Sequence, residues 1–120
     1  MRIPERAILS ACRQIARLHE GAGRLICIRI SNSGVMHGGG KRMAPNPEML
    51  GITDLVLLLK SGPTLWVELK ADDGRLSPGQ VAFRERLTRV GHIYRVVKSV
   101  EEFESLLSEY GVPRLTLLPS

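Results

Sequence analysis

The chain has 120 residues, 43% hydrophobic and 24% charged, which suits one soluble globular domain able to bury a core without disulfide or metal staples. Its 17 Lys and Arg against 12 Asp and Glu leave a formal charge of +5, a balance that favours a polyanionic partner through phosphate neutralisation. No apolar run approaches the roughly 18 residues of a membrane span, Cys12 and Cys27 form no Cys-x-x-Cys pair for zinc or redox work, and the aromatics (Trp66, Tyr94, Tyr110, Phe83 and Phe103) are too few for a base-stacking platform.

Met1-Arg2-Ile3-Pro4-Glu5-Arg6 leads into charged residues with no apolar core of signal-peptide length, so a cytoplasmic location is expected. Pro4 suits the first turn of a helix, where its missing N–H is harmless. Ile8, Cys12, Ile15 and His19 then recur at helical spacing up to Gly21-Ala22-Gly23. Leu25 to Ile30 is a short β-rich apolar run and reads as a strand. From Ser31 to Leu50 periodicity is lost among Gly38-Gly39-Gly40, Lys41, Arg42, Pro45 and Pro47. Two readings stand for it: a substrate-facing loop, or a β-hairpin.

Asp54 to Lys60 and Thr64 to Lys70 are two further strands, joined at Ser61-Gly62-Pro63 as an antiparallel hairpin. The first is apolar from Leu55 to Leu59, as expected of a strand covered on both faces. Ser77 opens a second helix with Pro78 at its first position, running to Gly91. Ile93 to Val97 is a fourth strand. Ser99 starts a third helix, with Glu102 completing a capping box, and Gly111 and Pro113 end it. The order α-β-β-β-α-β-α describes a single α/β layer structure with no repeat or linker.

The chemistry concentrates between Gly51 and Gln80. Strand alternation puts Trp66, Glu68 and Lys70 on one face and Leu65, Val67 and Leu69 on the other, with Glu68 and Lys70 about 7 Å apart along the strand. A hairpin turning at Ser61-Gly62-Pro63 brings Asp54 opposite Glu68 and Lys70. Two carboxylates there suit Mg²⁺, which takes oxygen ligands and keeps several waters, and the Leu69 backbone carbonyl can add another oxygen. Such an ion polarises a phosphodiester oxygen and eases deprotonation of a bound water. Lys70 can orient that water or neutralise charge on the phosphoryl group. The competing reading makes these ordinary strand-end charges, with Glu68 and Lys70 as a surface ion pair.

The run Gly51-Ile52-Thr53-Asp54, Val67-Glu68-Leu69-Lys70, Gly74-x-Leu76-Ser77-x-x-Gln80 resembles the VRR-NUC family, the virus-type replication-repair nucleases of the PD-(D/E)xK superfamily. The resemblance extends to Glu5, which matches the family's first-helix glutamate, and to Arg29-Ile30-Ser31-Asn32-Ser33-Gly34. It covers about residues 4–107 of a single nuclease domain spanning 1–120. It implies a restriction-endonuclease-like α/β fold, an α-β-β-β-α-β core whose mixed sheet is flanked by helices, followed by a C-terminal helix. It also implies a Mg²⁺- or Mn²⁺-dependent DNA endonuclease in which Asp54 and Glu68 are ligands and Lys70 the catalytic lysine. Glu5 would line the site and Gln80 would support it from the second helix. Short stand-alone members resemble phage and bacterial enzymes that act as homodimers on branched DNA such as four-way junctions; a phage-encoded chain would work in the host cytoplasm. One departure is Thr53 where the family usually has proline, a position that shapes backbone and donates no ligand.

Outside the central triplet each assignment has a structural counterpart. Gln80 is also the third helical residue of a capping box begun by Ser77, and Glu5 also complements a helix N-terminus. Arg29, Asn32, Ser33, Lys41, Arg42 and Arg75 are candidate DNA contacts or simply solvated residues. His19, His37 and His92 are scattered and none is assigned to catalysis, while Trp66 reads as core. Two other function classes compete: a structure-specific DNA-binding module that has lost catalysis, and a metal-dependent hydrolase of small phosphorylated compounds, for which no Gly-rich phosphate cradle lies between a strand and a helix start. No organic cofactor and no membrane partner is expected.

Overall fold

The computed structural model describes residues 2–30 and 51–115. Within them lie α1 (Glu5–Gly21), β1 (Leu25–Arg29), β2 (Leu55–Leu59), β3 (Thr64–Leu69), α2 (Pro78–Arg89), β4 (Ile93–Val97) and α3 (Val100–Glu109). The strands form one mixed sheet in the order β1-β2-β3-β4. The first three are antiparallel, whereas β4 runs parallel to β3 because α2 carries the chain back to the start of the sheet.

Period-two alternation builds the core. Leu55, Leu57, Leu59, Leu65, Val67 and Leu69 all point to one face, each 6% exposed or less. Onto that face pack Ile8, Cys12 and Ala16 of α1 and Phe103, Leu106 and Leu107 of α3. Each large side chain so buried contributes roughly 1.5–3 kcal/mol. The opposite face carries Trp66 of β3, whose ring meets Phe83 of α2 edge-on at 5.9 Å between centroids. The sheet is therefore covered by α1 and α3 on one side and by α2, across β3 and β4, on the other.

Three local expectations change. Pro4 is the N-cap of α1 rather than a helical residue, with φ −61° and ψ 146°, and its carbonyl accepts the Ala7 and Ile8 N–H groups. Ser99 does cap α3 by accepting the Glu102 N–H, but the Glu102 carboxylate reaches past it and accepts from Lys98 N at 2.6 Å. The reciprocal half of that capping box thus closes one residue earlier. Nor is β2 covered on both faces along its whole length: Val56 is 6% exposed but Leu58 is 36% exposed. Leu58 pairs with Ile26, itself exposed, on the edge strand β1. The expected loop or hairpin over 31–50 lies outside the described residues.

Candidate active site

The β2–β3 register sets the site. Leu55 pairs with Val67, so continuation of the ladder by one residue places Asp54 opposite Glu68. Asp54 is then fixed from two sides. Its backbone carbonyl accepts the Ile30 N–H at 2.9 Å, and its Oδ2 accepts the Leu69 N–H at 2.8 Å. The carboxylate is thereby tied to the backbone of the strand that carries Glu68. Thr53 beside it is fully buried, with its hydroxyl directed to the Leu55 carbonyl at 3.4 Å.

Glu68 is 2% exposed, and its Oε1 has no hydrogen-bond partner among the described residues. Burial first, then the Asp54 carboxylate as hydrogen-bonding neighbour and as like charge, push its pKa up to about 9; Lys70 opposes this and Glu5 adds to it. Glu5, Asp54 and Lys70 thus all lie within electrostatic reach of one buried carboxyl group. The exposed Glu68–Lys70 ion pair is not what forms: Glu68 is buried, and the ion pairs of the described residues are Arg2–Asp73, Arg95–Glu109 and Arg114–Glu104. Lys70 is half-buried and continues the sheet past β3, donating its N–H to the Val97 carbonyl at 3.0 Å.

The start of α2 is held against this end of the sheet by backbone contact. Gly51 has φ +77°, and a Cβ there would fall inside the Gly79 carbonyl. Gln80 is one residue further along α2. Its Oε1 accepts the Ser77 N–H at 2.8 Å while its own N–H is accepted by the Ser77 hydroxyl at 3.2 Å, so the capping box is complete and only the side-chain amide N–H groups stay available.

The remaining candidates separate. Glu5 is exposed at the first position of α1. Arg29 is exposed and ends β1 opposite Leu55, so it shares the sheet end of Asp54 but projects on the α1 side. Arg75 is exposed in the connection between Lys70 and α2. Asn32, Ser33, Lys41 and Arg42 lie outside the described residues.

Among the described residues no three His, Cys, Asp or Glu side chains come together as a metal-holding group. The two carboxylates that the β2–β3 register sets opposite each other are Asp54 and Glu68. That set fits Mg²⁺, which commonly takes one or two carboxylates and fills its other positions with water and substrate oxygens. The orphaned Glu68 Oε1 fits it too, because a bound cation gives a buried carboxyl oxygen that has no hydrogen-bond partner a compensating charge.

No family model matches the sequence, and no curated protein matches it. A solved structure described as a VRR_NUC domain superposes with a TM-score of 0.60 over 90% of this chain and 99% of that one, at 21% sequence identity. The chain has the VRR_NUC fold. On that fold, two residues whose part was not visible in the sequence stand out. Gly51 sets the distance between the segment before Asp54 and α2; a glycine three residues ahead of an acidic strand start was the available signal. Tyr94 pairs with Trp66 across the parallel β3–β4 ladder and so lies on the Glu68 face. Its signal was weaker, since only the parallel pairing puts β4 next to β3.

Proposed function

We propose that this chain is a divalent-metal-dependent endodeoxyribonuclease that hydrolyses phosphodiester bonds, acting on branched DNA such as four-way junctions. The observation that carries the reading is the buried Glu68 carboxyl set beside Asp54 and within reach of Lys70, at the end of the sheet, on a VRR_NUC fold. Asp54 and Glu68, with the Leu69 carbonyl, would hold Mg²⁺ or Mn²⁺. That ion would supply charge withdrawal from the phosphodiester and a lower pKa for bound water.

The chain's own residues divide the remaining work. Asp54 is anchored by the Leu69 N–H through Oδ2, so Oδ1 is the oxygen that would be offered to a bound metal. Lys70 neutralises negative charge developing on the phosphoryl oxygens or orients the attacking water. Glu5 lines the site from the start of α1, and the Gln80 amide supports it from α2. Arg29, Asn32, Ser33, Lys41, Arg42 and Arg75 contact the DNA backbone, in keeping with the +5 charge of the chain. Residues 1–120 form one nuclease domain. One such site cuts one strand, so symmetric cutting of a four-way junction requires a homodimer with a two-fold axis. No helix among the described residues is long and apolar enough to cross a membrane.

The deciding experiment is cleavage of labelled four-way junction, linear duplex and single-stranded DNA in Mg²⁺, Mn²⁺ or EDTA, with Asp54→Asn and Lys70→Ala proteins alongside. Metal-dependent cutting that both substitutions abolish is expected. Tight junction binding with no cutting in any metal would replace the enzyme by a DNA-binding module.

A further inference from the structure

Three buried polar side-chain atoms have no partner among the described residues: Trp66 Nε1, Glu68 Oε1 and the Tyr94 hydroxyl. Buried polar groups are nearly always satisfied, so three orphans call for a shared cause. They are not scattered. Trp66 and Glu68 are two residues apart on β3 and share a face, and Tyr94 is the β4 residue paired with Trp66. Tyr94 is therefore the diagonal neighbour of Glu68 on that face, two residues ahead of Val96, which pairs with Glu68.

The chemistry of the three atoms is complementary. Trp66 Nε1–H can only donate, a carboxyl oxygen such as Glu68 Oε1 accepts, and a tyrosine hydroxyl can donate to it. Electrostatics link the same groups: burial and then the Glu68 charge, with a further contribution from Asp54, raise the Tyr94 pKa, while Arg84 of α2 opposes them. Phe83 of α2 lies against Trp66, and each of the three atoms is itself buried from solvent.

We propose that Tyr94 is a positioning residue for Glu68, its hydroxyl donating to the Glu68 carboxyl oxygen, directly or across one shared water, and so fixing how that carboxyl group faces Asp54. The inference rests on the nuclease reading, and it assigns a task to β4 that the Asp54, Glu68 and Lys70 set leaves blank. Hydrogen-bond partners of metal ligands typically change metal affinity about 10–100-fold when removed. Tyr94→Phe removes the hydroxyl and keeps the ring.

Trp66 is the one tryptophan of the chain and lies beside the site, so quenching of its fluorescence by Mn²⁺ reads metal binding without DNA or turnover. Wild-type and Tyr94→Phe proteins are titrated with Mn²⁺ by fluorescence and by calorimetry, and their metal-free forms are melted in EDTA. Tyr94→Phe is expected to bind Mn²⁺ about tenfold more weakly. Its metal-free melting temperature should stay at or above wild type, since an orphaned hydroxyl has been removed, and excess Mn²⁺ should restore cleavage. Equal Mn²⁺ affinity in the two proteins overturns the assignment, and a lower metal-free melting temperature beside that equal affinity gives the hydroxyl to the fold alone. Wild-type protein that binds no Mn²⁺ fails the nuclease reading itself and takes this inference with it.

Discussion

Asp54 Oδ2 accepts the Leu69 backbone N–H at 2.8 Å, so the carboxylate just ahead of β2 is bonded to the end of β3, between Glu68 and Lys70. One oxygen of Asp54 serves the fold and leaves the other for the site. The two duties can be separated. Asp54→Asn keeps an oxygen for the Leu69 N–H and should change stability by less than about 1 kcal/mol, while Asp54→Ala strands a buried donor and should lose about 1–3 kcal/mol in urea denaturation. Both should abolish cleavage. Equal stability of the two variants would show that the Leu69 bond contributes nothing to the fold.

A second expectation concerns metal as a ligand of the native state. Binding to Asp54 and Glu68 should raise the melting temperature of wild-type protein as Mn²⁺ is added, because a ligand that binds only the folded chain stabilises it by about 2.7 kcal/mol at a hundred times its dissociation constant. EDTA should reverse the shift. Asp54→Asn should show little of it. A shift of the same size in the variant would place the ion elsewhere on the molecule.

Much of this arrangement was legible in the sequence. Ser61-Gly62-Pro63 and the alternation of Leu65, Val67 and Leu69 suffice to set the hairpin and bring Asp54, Glu68 and Lys70 to one end of it. Ser77-Pro78 with Gln80 marks the start of α2 in the same local way. What stayed hidden depends on distance along the chain. A Glu-x-Lys triplet on a strand reads as readily as an exposed ion pair, and only the folded chain reveals that Glu68 is buried. The Gly51–Gly79 approach and the Trp66–Tyr94 pairing join segments with no common periodicity. The Glu102 carboxylate bonding to Lys98 rather than to Ser99 shows that even a local motif has more than one way to close.

The close approach of Gly51 to Gly79 gives a third prediction. Gly51→Ala faces both a left-handed φ of +77° and a collision with backbone, which cannot rotate away as a side chain end would. The relief available is movement of the α2 N-terminus away from Asp54. Destabilisation of about 1–3 kcal/mol is expected, by analogy with other strained backbone positions. Faster amide exchange in the first turn of α2 should accompany it. Gly79→Ala should be milder, because a Cβ there meets Gly51 no closer than 3.8 Å. If the two variants melt alike, the close approach does not hold α2 in place.

Gln80 can be resolved into its structural and catalytic parts. Its Oε1 accepts the Ser77 N–H, a task that glutamate performs equally well, whereas its amide N–H groups have no counterpart in glutamate. Gln80→Glu should therefore keep the cap, and the added negative charge at a helix N-terminus favours the fold. Gln80→Ala should lose about 1 kcal/mol through the broken capping box. If the amide supports the site, cleavage falls in both variants while only the alanine variant is less stable. Full activity in a stable Gln80→Glu protein would reduce Gln80 to a capping residue.

His19 supplies a pH dependence separate from the site. The side chain is 1% exposed on the core face of α1, with Nδ1 at 3.3 Å from an Arg24 nitrogen. Burial and then the Arg24 charge lower its pKa from the ordinary 6.5, with Glu104 opposing. The unfolded chain therefore takes up a proton below 6.5 that the folded chain resists. The contribution of neutral His19 to stability is fully present above that value and is lost as pH falls toward the lowered folded pKa. His19→Gln keeps an acceptor for Arg24 and has no proton to take up. The urea midpoint of wild-type protein should fall more than that of His19→Gln between about pH 7.5 and pH 5, with all other titrating groups common to both proteins. Parallel midpoints across that interval would mean that His19 is protonated as easily in the folded chain as in the unfolded one.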